Sequence, residues 1–155
     1  MINEIGTPKT VGSPSGNHAA KFLYAGEIRF GPPYYTVELD VLLLSKPLLR
    51  RRYFGVACLW SSDSSYLALS EWLSRSESRG PETQVVVIDI PNRQECAVDR
   101  LRGGFAEPVR FEGKILIYTE TFYSREGRPQ VDTCRVDLTT WRKWHKASPL
   151  DRKRT

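Results

Sequence analysis

Apolar and polar side chains alternate along most of this chain with a period of two, the signature of strands rather than helices. Tyr35, Val37, Leu39 and Val41 alternate with Thr36, Glu38 and Asp40. Phe22, Tyr24, Ile28 and Phe30 share one parity, and Glu27 and Arg29 take the other. Gly31-Pro32-Pro33 lies between the two runs. It reads as a turn, because proline fixes φ and cannot donate to a ladder. A first hairpin is therefore expected over residues 22–30 and 35–44. Pro47 breaks the alternation, and residues 45–52 read as a connector. Strand character resumes over 53–60. Ser61 to Ser65 is a turn whose Ser and Asp side chains satisfy nearby backbone donors, and residues 66–73 pair back. Ser74 to Thr83 is polar and long for a hairpin, which makes it a candidate binding loop. Gln84 to Ile90 is a nearly continuous apolar run, as in a strand covered on both faces. Residues 95–101 read as a strand near an edge. Gly103-Gly104 marks a sharp loop. Residues 109–111 and 114–123 flank a Glu112-Gly113 turn, and 130–138 is a further strand. Residues 139–145 are expected to form a short closing strand or a turn.

The middle of the chain repeats itself. Tyr66-Leu67-Ala68-Leu69 leads to Val85-Val86-Val87-Ile88-Asp89-Ile90, and Ile115-Leu116-Ile117-Tyr118 leads to Thr133-Cys134-Arg135-Val136-Asp137-Leu138. Tyr66 and Ile115 are 49 residues apart, Asp89 and Asp137 48. The expected fold is all-β, with about eight antiparallel strands in meanders. They would form two packed sheets or two blade-like units, not a closed ring. Residues 1–19 are expected to be a flexible leader, 20–146 a single β domain with copies at 61–101 and 109–144, and 147–155 a basic tail.

Composition narrows the class. The 155 residues are 40% hydrophobic and 26% charged, enough for a core without disulfide or metal staples. The net charge is +5, concentrated in Arg50-Arg51-Arg52 and in Arg142, Lys143, Lys146, Arg152, Lys153 and Arg154. Such clusters attract nucleic acid, anionic lipid or an acidic protein. Without its basic end the chain is close to neutral, so no strong field belongs to the fold itself. Cys58, Cys96 and Cys134 are odd in number, lie inside expected strands and lack Cys-x-x-Cys spacing. They read as small apolar core residues in a reducing compartment. The first residues lack the apolar stretch of a secretory signal, and the longest apolar run, Val41 to Leu44, is too short to span a bilayer. The expectation is a cytoplasmic protein that does not enter a membrane.

Motifs for catalysis are missing from the sequence. His18 and His145 are the only histidines, and a structural zinc site needs about four well-placed ligands. No Gly-x-Ser-x-Gly elbow occurs, and Gly12 to Gly16 lacks the Gly-Lys-Ser/Thr ending of a phosphate loop. Glu38 and Asp40 complete an amphipathic strand, and Asp89 and Asp137 are expected to accept hydrogen bonds in the turns that follow them. No catalytic residue, metal or cofactor is expected. Aromatic residues carry more promise: Trp60, Trp72, Trp141 and Trp144, with Tyr34, Tyr35, Tyr53, Phe122 and Tyr123. Trp72 stands beside Arg75 and Arg79, and Trp141 and Trp144 are interleaved with Arg142 and Lys143. Aromatics next to arginines make interface hot spots and also stack on single-stranded bases. The partner-binding candidates are thus Trp72, Arg75, Arg79, Arg50, Arg51, Arg52, Trp141, Arg142 and Trp144.

The run Trp60-Ser61-Ser62-Asp63-Ser64-Ser65-Tyr66-Leu67-Ala68-Leu69-Ser70, followed by Val85 to Ile90, resembles a β-propeller blade of the TolB or WD-repeat kind. Residues 111–144 resemble a second blade. The resemblance implies propeller-like meanders whose exposed edges are covered by loops or by a partner. In size, class and want of catalytic motifs, the chain also resembles the immunity proteins of bacterial toxin systems, including contact-dependent growth inhibition. That likeness implies a protein that binds a cognate toxin domain of acidic or mixed surface and blocks it. The alternatives are a nucleic-acid-binding protein using the basic clusters, or a hydrolase on an unfamiliar β scaffold.

Overall fold

A computed structural model describes residues 8–28, 31–41, 49, 51–74, 80–123, 127–140 and 145–146. They form strands and turns without helix. In chain order the strands are β1 (Lys9–Gly12), β2 (His18–Glu27), β3 (Pro33–Val41), β4 (Tyr53–Trp60), β5 (Tyr66–Ser74) and β6 (Glu82–Asp89), then β7 (Gln94–Ala97), β8 (Leu101–Arg102), β9 (Gly104–Glu112), β10 (Ile115–Tyr123), β11 (Pro129–Asp137) and β12 (His145–Lys146). Every pairing is antiparallel. The large sheet runs β1-β2-β3-β4-β5-β6-β7-β12, with β8 also paired to β6, and a separate small sheet runs β11-β10-β9.

The large sheet is coiled, and two contacts prove it. Trp60, at the end of β4, donates its indole N–H to the Val11 carbonyl of β1 at 3.1 Å. The Ser15 amide, in the β1–β2 turn, donates to Ser64 Oγ in the β4–β5 turn at 2.9 Å. In a flat sheet, β1 and β4 would stand three spacings apart, roughly 14 Å. The bend falls between β3 and β4, which share the single register pair Tyr35–Phe54. The concave side then encloses one core, in which Phe22, Val37 and Leu39 meet Phe54, Leu67, Leu69, Val86 and Ile88.

The other face of β5 and β6 carries the alternate side chains, and the small sheet covers it. Ala68, Val85 and Val87 pack there with Ala106, Leu116, Val136 and Leu138. The run over 84–90 is therefore apolar without alternation because both of its faces are covered. The small sheet sets its β9 edge against this face. Ser70 Oγ donates to the Ala106 carbonyl at 2.5 Å. Thr83 Oγ1 donates to the Gly104 carbonyl and accepts from the Ala106 amide, each at 2.9 Å. Two buried hydroxyls thus satisfy backbone groups that an edge strand would otherwise leave open. A Cβ on Gly104 would lie 2.7 Å from the Thr121 carbonyl, so the approach needs glycine.

The expected all-β fold in two packed sheets is the one observed, and both repeat copies are hairpins: β5–β6 and β10–β11. Three boundaries differ. The leader expected over 1–19 contains β1 and the start of β2, because Gly12 to Asn17 closes a hairpin rather than a loose end; Ser13 N donates to the His18 carbonyl at 2.8 Å. The turn expected at Glu112-Gly113 is Gly113-Lys114, with Glu112 opposite Ile115. The strand expected from 109 begins at Gly104, and Pro108 is tolerated because β9 is an edge strand with a bulge at that point. The closing strand expected near 139–145 is β12, at His145–Lys146, paired to β7. The connector over 45–48, the loop over 75–79 and the tail over 147–155 lie outside the described residues.

Candidate functional site

Where the two sheets part, they leave a groove of about 650 Å³. Three features of the sequence make it. The first is a bulge in β4: Phe54 pairs with Glu71 and Cys58 with Leu69, so three β4 residues face one on β5. Gly55 and Val56 line the groove from this bulge, and Val56 is 47% exposed. Bulges of this kind re-aim side chains beside binding sites. The second is glycine at 55, where a Cβ would lie 3.1 Å from Trp72 Nε1. The third is Gly31 and Pro32 of the β2–β3 turn, with Pro33 at the start of β3, which line the groove together with Pro81 and Gly103.

Trp72, Phe105 and Tyr123 line the groove, and Tyr34 and Tyr53 extend the row of ring contacts beyond its lining. Tyr53 meets Tyr34 at 5.4 Å between centroids, Tyr34 meets Trp72 at 5.6 Å, Trp72 meets Phe105 at 5.6 Å, and Phe105 meets Tyr123 at 6.1 Å. From Trp72 onward the rings run from interior to surface: Trp72 is 4% exposed, Phe105 is half-buried and Tyr123 is 64% exposed. Such offset and edge contacts fix ring positions. Phe105 and Glu107 are two apart on β9 and lie opposite Thr121 and Thr119 of β10, so both point to one face. Glu107 is the only charged side chain among the described residues lining the groove. It is half-buried, and burial raises its carboxyl above the usual carboxylate range.

The sequence-derived candidates divide sharply. Arg52, from the arginine triplet, does not face solvent. It is buried with Glu71 and Glu95. Its Nε and Nη2 donate to the two Glu71 oxygens at 2.5 and 3.0 Å, and its Nη1 donates to Glu95 Oε2 at 2.8 Å. Gln84 Nε2 adds a bond to Glu71 at 2.8 Å, and the guanidinium carbon lies 5.7 Å from the Phe54 ring centre. Burial alone would lower the Arg52 guanidinium, but its bonds to Glu71 and the charges of Glu71 and Glu95 outweigh that and raise it further. Arg52 is thus a structural residue of the concave core. The triplet reads as a cluster in sequence but is split in space, with Leu49 buried, Arg51 exposed and Arg52 buried. The backbone manages this with positive φ at Leu49 and Arg51, 68° and 59°, an uncommon conformation for either residue.

Trp72 is interior by exposure but lines the groove, so it belongs to both classes that its position suggested. Arg50, Arg75, Arg79, Trp141, Arg142 and Trp144 lie outside the described residues. Glu38 and Asp40 are exposed on the outer side of β3. Asp89 accepts from the Asn92 amide and side chain, and Asp137 accepts from the Thr139 amide and hydroxyl, as their strand-end positions suggested. Cys58 is held as a thiol by burial, which pushes it up to about 12. That chemistry is wrong for a nucleophile near neutral pH. Among the described residues no group of His, Cys, Asp and Glu converges as a metal site.

Nothing in the sequence marked Val56, Phe105 or Glu107 as functional. Residues 104–108 mix Phe, Glu and Pro without alternation, so nothing there marks a strand with a functional face. The one available signal was Gly103-Gly104, two small residues where backbones come close. Comparison with protein-family models, curated proteins and solved structures finds no match to this chain.

Proposed function

We propose that this chain is a non-catalytic binding module that docks a protein partner on the aromatic groove between its sheets, and that the partner is a toxin domain which the docking neutralises. The observation that carries the reading is the pairing of exposed apolar residues, Val56 and Tyr123, with an aromatic-walled groove large enough for an inserted side chain. Hot spots are built this way: a buried aromatic anchor point, a pocket, and a rim that excludes water. The chemistry around the groove supports binding over turnover. Among the described residues its polar side chains are Ser70, Glu107 and the Trp72 and Tyr123 tips. Ser70 already donates to the Ala106 carbonyl. A cytoplasmic site of action goes with this reading. Among the described residues no helix is long and apolar enough to cross a membrane.

The test is a binding measurement with the purified product of the adjoining reading frame. A one-to-one complex by size-exclusion chromatography, weakened about tenfold or more by Val56→Asp, is the expected result for a groove-centred hot spot. A complex indifferent to Val56→Asp would put the contact on another face. No complex, and no relief of toxicity on co-expression, would end the toxin-neutralising reading.

A further inference from the structure

Among the described residues the groove holds one carboxylate and offers it no cation. Glu107 makes no hydrogen bond or ion pair through its side chain among the described residues, and no neighbouring positive charge acts on it. Other partly exposed acidic side chains have a cation: Glu82 Oε1, which makes no hydrogen bond, has Arg100 at 3.3 Å, and Glu112 has Arg110 at 3.0 Å. A half-buried, unpaired carboxylate carries a desolvation cost with no return inside the fold. The rings around it have the complementary property. Aromatic faces attract cations, most strongly where water is excluded. Phe105 and Glu107 are spaced by two residues on one strand, on the order of 7 Å, and Tyr123 stands on the same face of β10, two residues beyond Thr121, which opposes Phe105.

We propose that the groove is a receptor for an arginine side chain presented by the protein partner, with Glu107 taking the guanidinium and Phe105 and Tyr123 covering its plane. This rests on the docking reading above and specifies its anchor. Arginine fits better than lysine on three counts. Its planar head stacks on rings, it meets a carboxylate with two parallel bonds, and it is more weakly hydrated, so it loses less on entering an apolar groove. The local sign is opposite to that of the whole chain. The net charge of +5 disfavours cations at long range, so specificity here must come from short-range fit within the groove.

N-acetylargininamide is the probe, titrated against the full chain while the Trp72 indole N–H resonance is followed by NMR, with Trp72→Phe supplying the assignment. The expected result is saturable movement with millimolar affinity, weakened about fivefold or more by Glu107→Gln and by Tyr123→Ala, in the range of a desolvated cation–π and carboxylate contact. Tyr123 is exposed enough that its variant folds, which keeps the test open if Glu107→Gln misbehaves. N-acetylnorleucinamide should bind at least about tenfold more weakly than the arginine probe. Equal binding of the two overturns the cation inference and leaves apolar docking standing. Equal binding of N-acetyllysinamide overturns the guanidinium preference, and no shift at about 50 mM arginine probe overturns the whole, given the affinities such contacts supply. Arginine binding that persists while Val56→Asp leaves the partner complex intact would sink the docking reading and with it the partner-borne arginine, leaving only the groove's own affinity for a guanidinium.

Discussion

The two copies of the repeat fold into the same hairpin and meet opposite fates. In β5–β6 nearly every side chain is buried on one face or the other. In β11, the closing strand of the second copy, Val136 is buried, Cys134 is half-buried and the rest are exposed. The cause is legible residue by residue. Positions 85, 86, 87 and 88 are Val, Val, Val and Ile; their counterparts 48 residues on are Thr133, Cys134, Arg135 and Val136. A strand with apolar side chains on both faces must be covered twice. A strand with one such face can serve as the outer layer. Duplication of pattern therefore supplies shape, and divergence in the closing strand decides which copy becomes core.

The sharpest way to break this comparison uses two arginines. Arg52 is buried beside the first copy, against Glu71 and Glu95, whereas Arg135 sits on β11 with its guanidinium 3.9 Å from Glu112 and 63% exposed. Arg52→Ala leaves two carboxylates buried without their cation and should cost about 3–5 kcal/mol. Arg135→Ala should cost less than about 1 kcal/mol. Urea denaturation of the three proteins measures both. Similar midpoints for the two variants would mean that the ion cluster does not support the inner layer.

Apolar truncations give the next effect. Ile88→Ala empties part of the concave core and should cost about 2–5 kcal/mol. Val131→Ala, at a residue 54% exposed, should stay within about 0.5 kcal/mol. A large loss at Val131 would show that the β11 face is covered in solution, for instance by a second copy of the chain.

Strand content and hairpin pairing were readable because period-two patterning is local. Val37, Leu39 and Val41 reach the core as their parity requires, and the Ser61 to Ser65 turn bonds as its composition demands, with Ser65 N donating to Asp63 and Tyr66 N to Ser61. What could not be read is long-range. Coiling that brings Val11 to Trp60 is a property of the whole sheet. The groove forms from a bulge, a glycine and a strand whose Pro108 argues against strand. Arg52 looked like part of a charged surface because one-dimensional clustering carries no information about direction, and two left-handed residues, Leu49 and Arg51, precede it where the chain turns it inward.

A smaller effect tests the seam where the copies meet. Burial raises Glu107, so the folded chain holds its proton more tightly than the unfolded chain does. The sign follows: as pH rises through the unfolded and then the raised folded value, ionisation in the groove removes stability. Glu107→Gln should therefore raise the urea midpoint slightly at pH 7, and the gain should vanish at about pH 3, where both states are protonated. The same variant is the one expected to lose arginine. Gain in stability with loss of binding marks a residue kept for function at a cost to the fold. Loss of both would mark it as structural.

The smallest effect compares the turns that begin the first copy and end the second. Asp63 accepts from the Ser65 hydroxyl, the Ser61 hydroxyl and the Ser65 amide, which bring it down to about 2. Asp137 accepts from the Thr139 hydroxyl and amide and is lowered too. For a depressed carboxyl the stabilisation is present above the unfolded value, near 3.9, and is lost as pH falls from there toward the folded value. Both side chains are solvent-facing, so water screens much of the gain. Wild type should exceed Asp63→Asn in urea midpoint at pH 7 by a small margin that narrows as pH falls to about 2 and closes only below it, and Asp137→Asn should show a smaller margin with the same trend. Asp63 earns the larger margin because its turn carries one more bond and abuts the Ser15 amide through Ser64, which ties β1 to the coil. If the Asp137 margin proves larger, the outer hairpin depends on its turn more than the inner one does, and burial rather than turn chemistry holds the first copy in register.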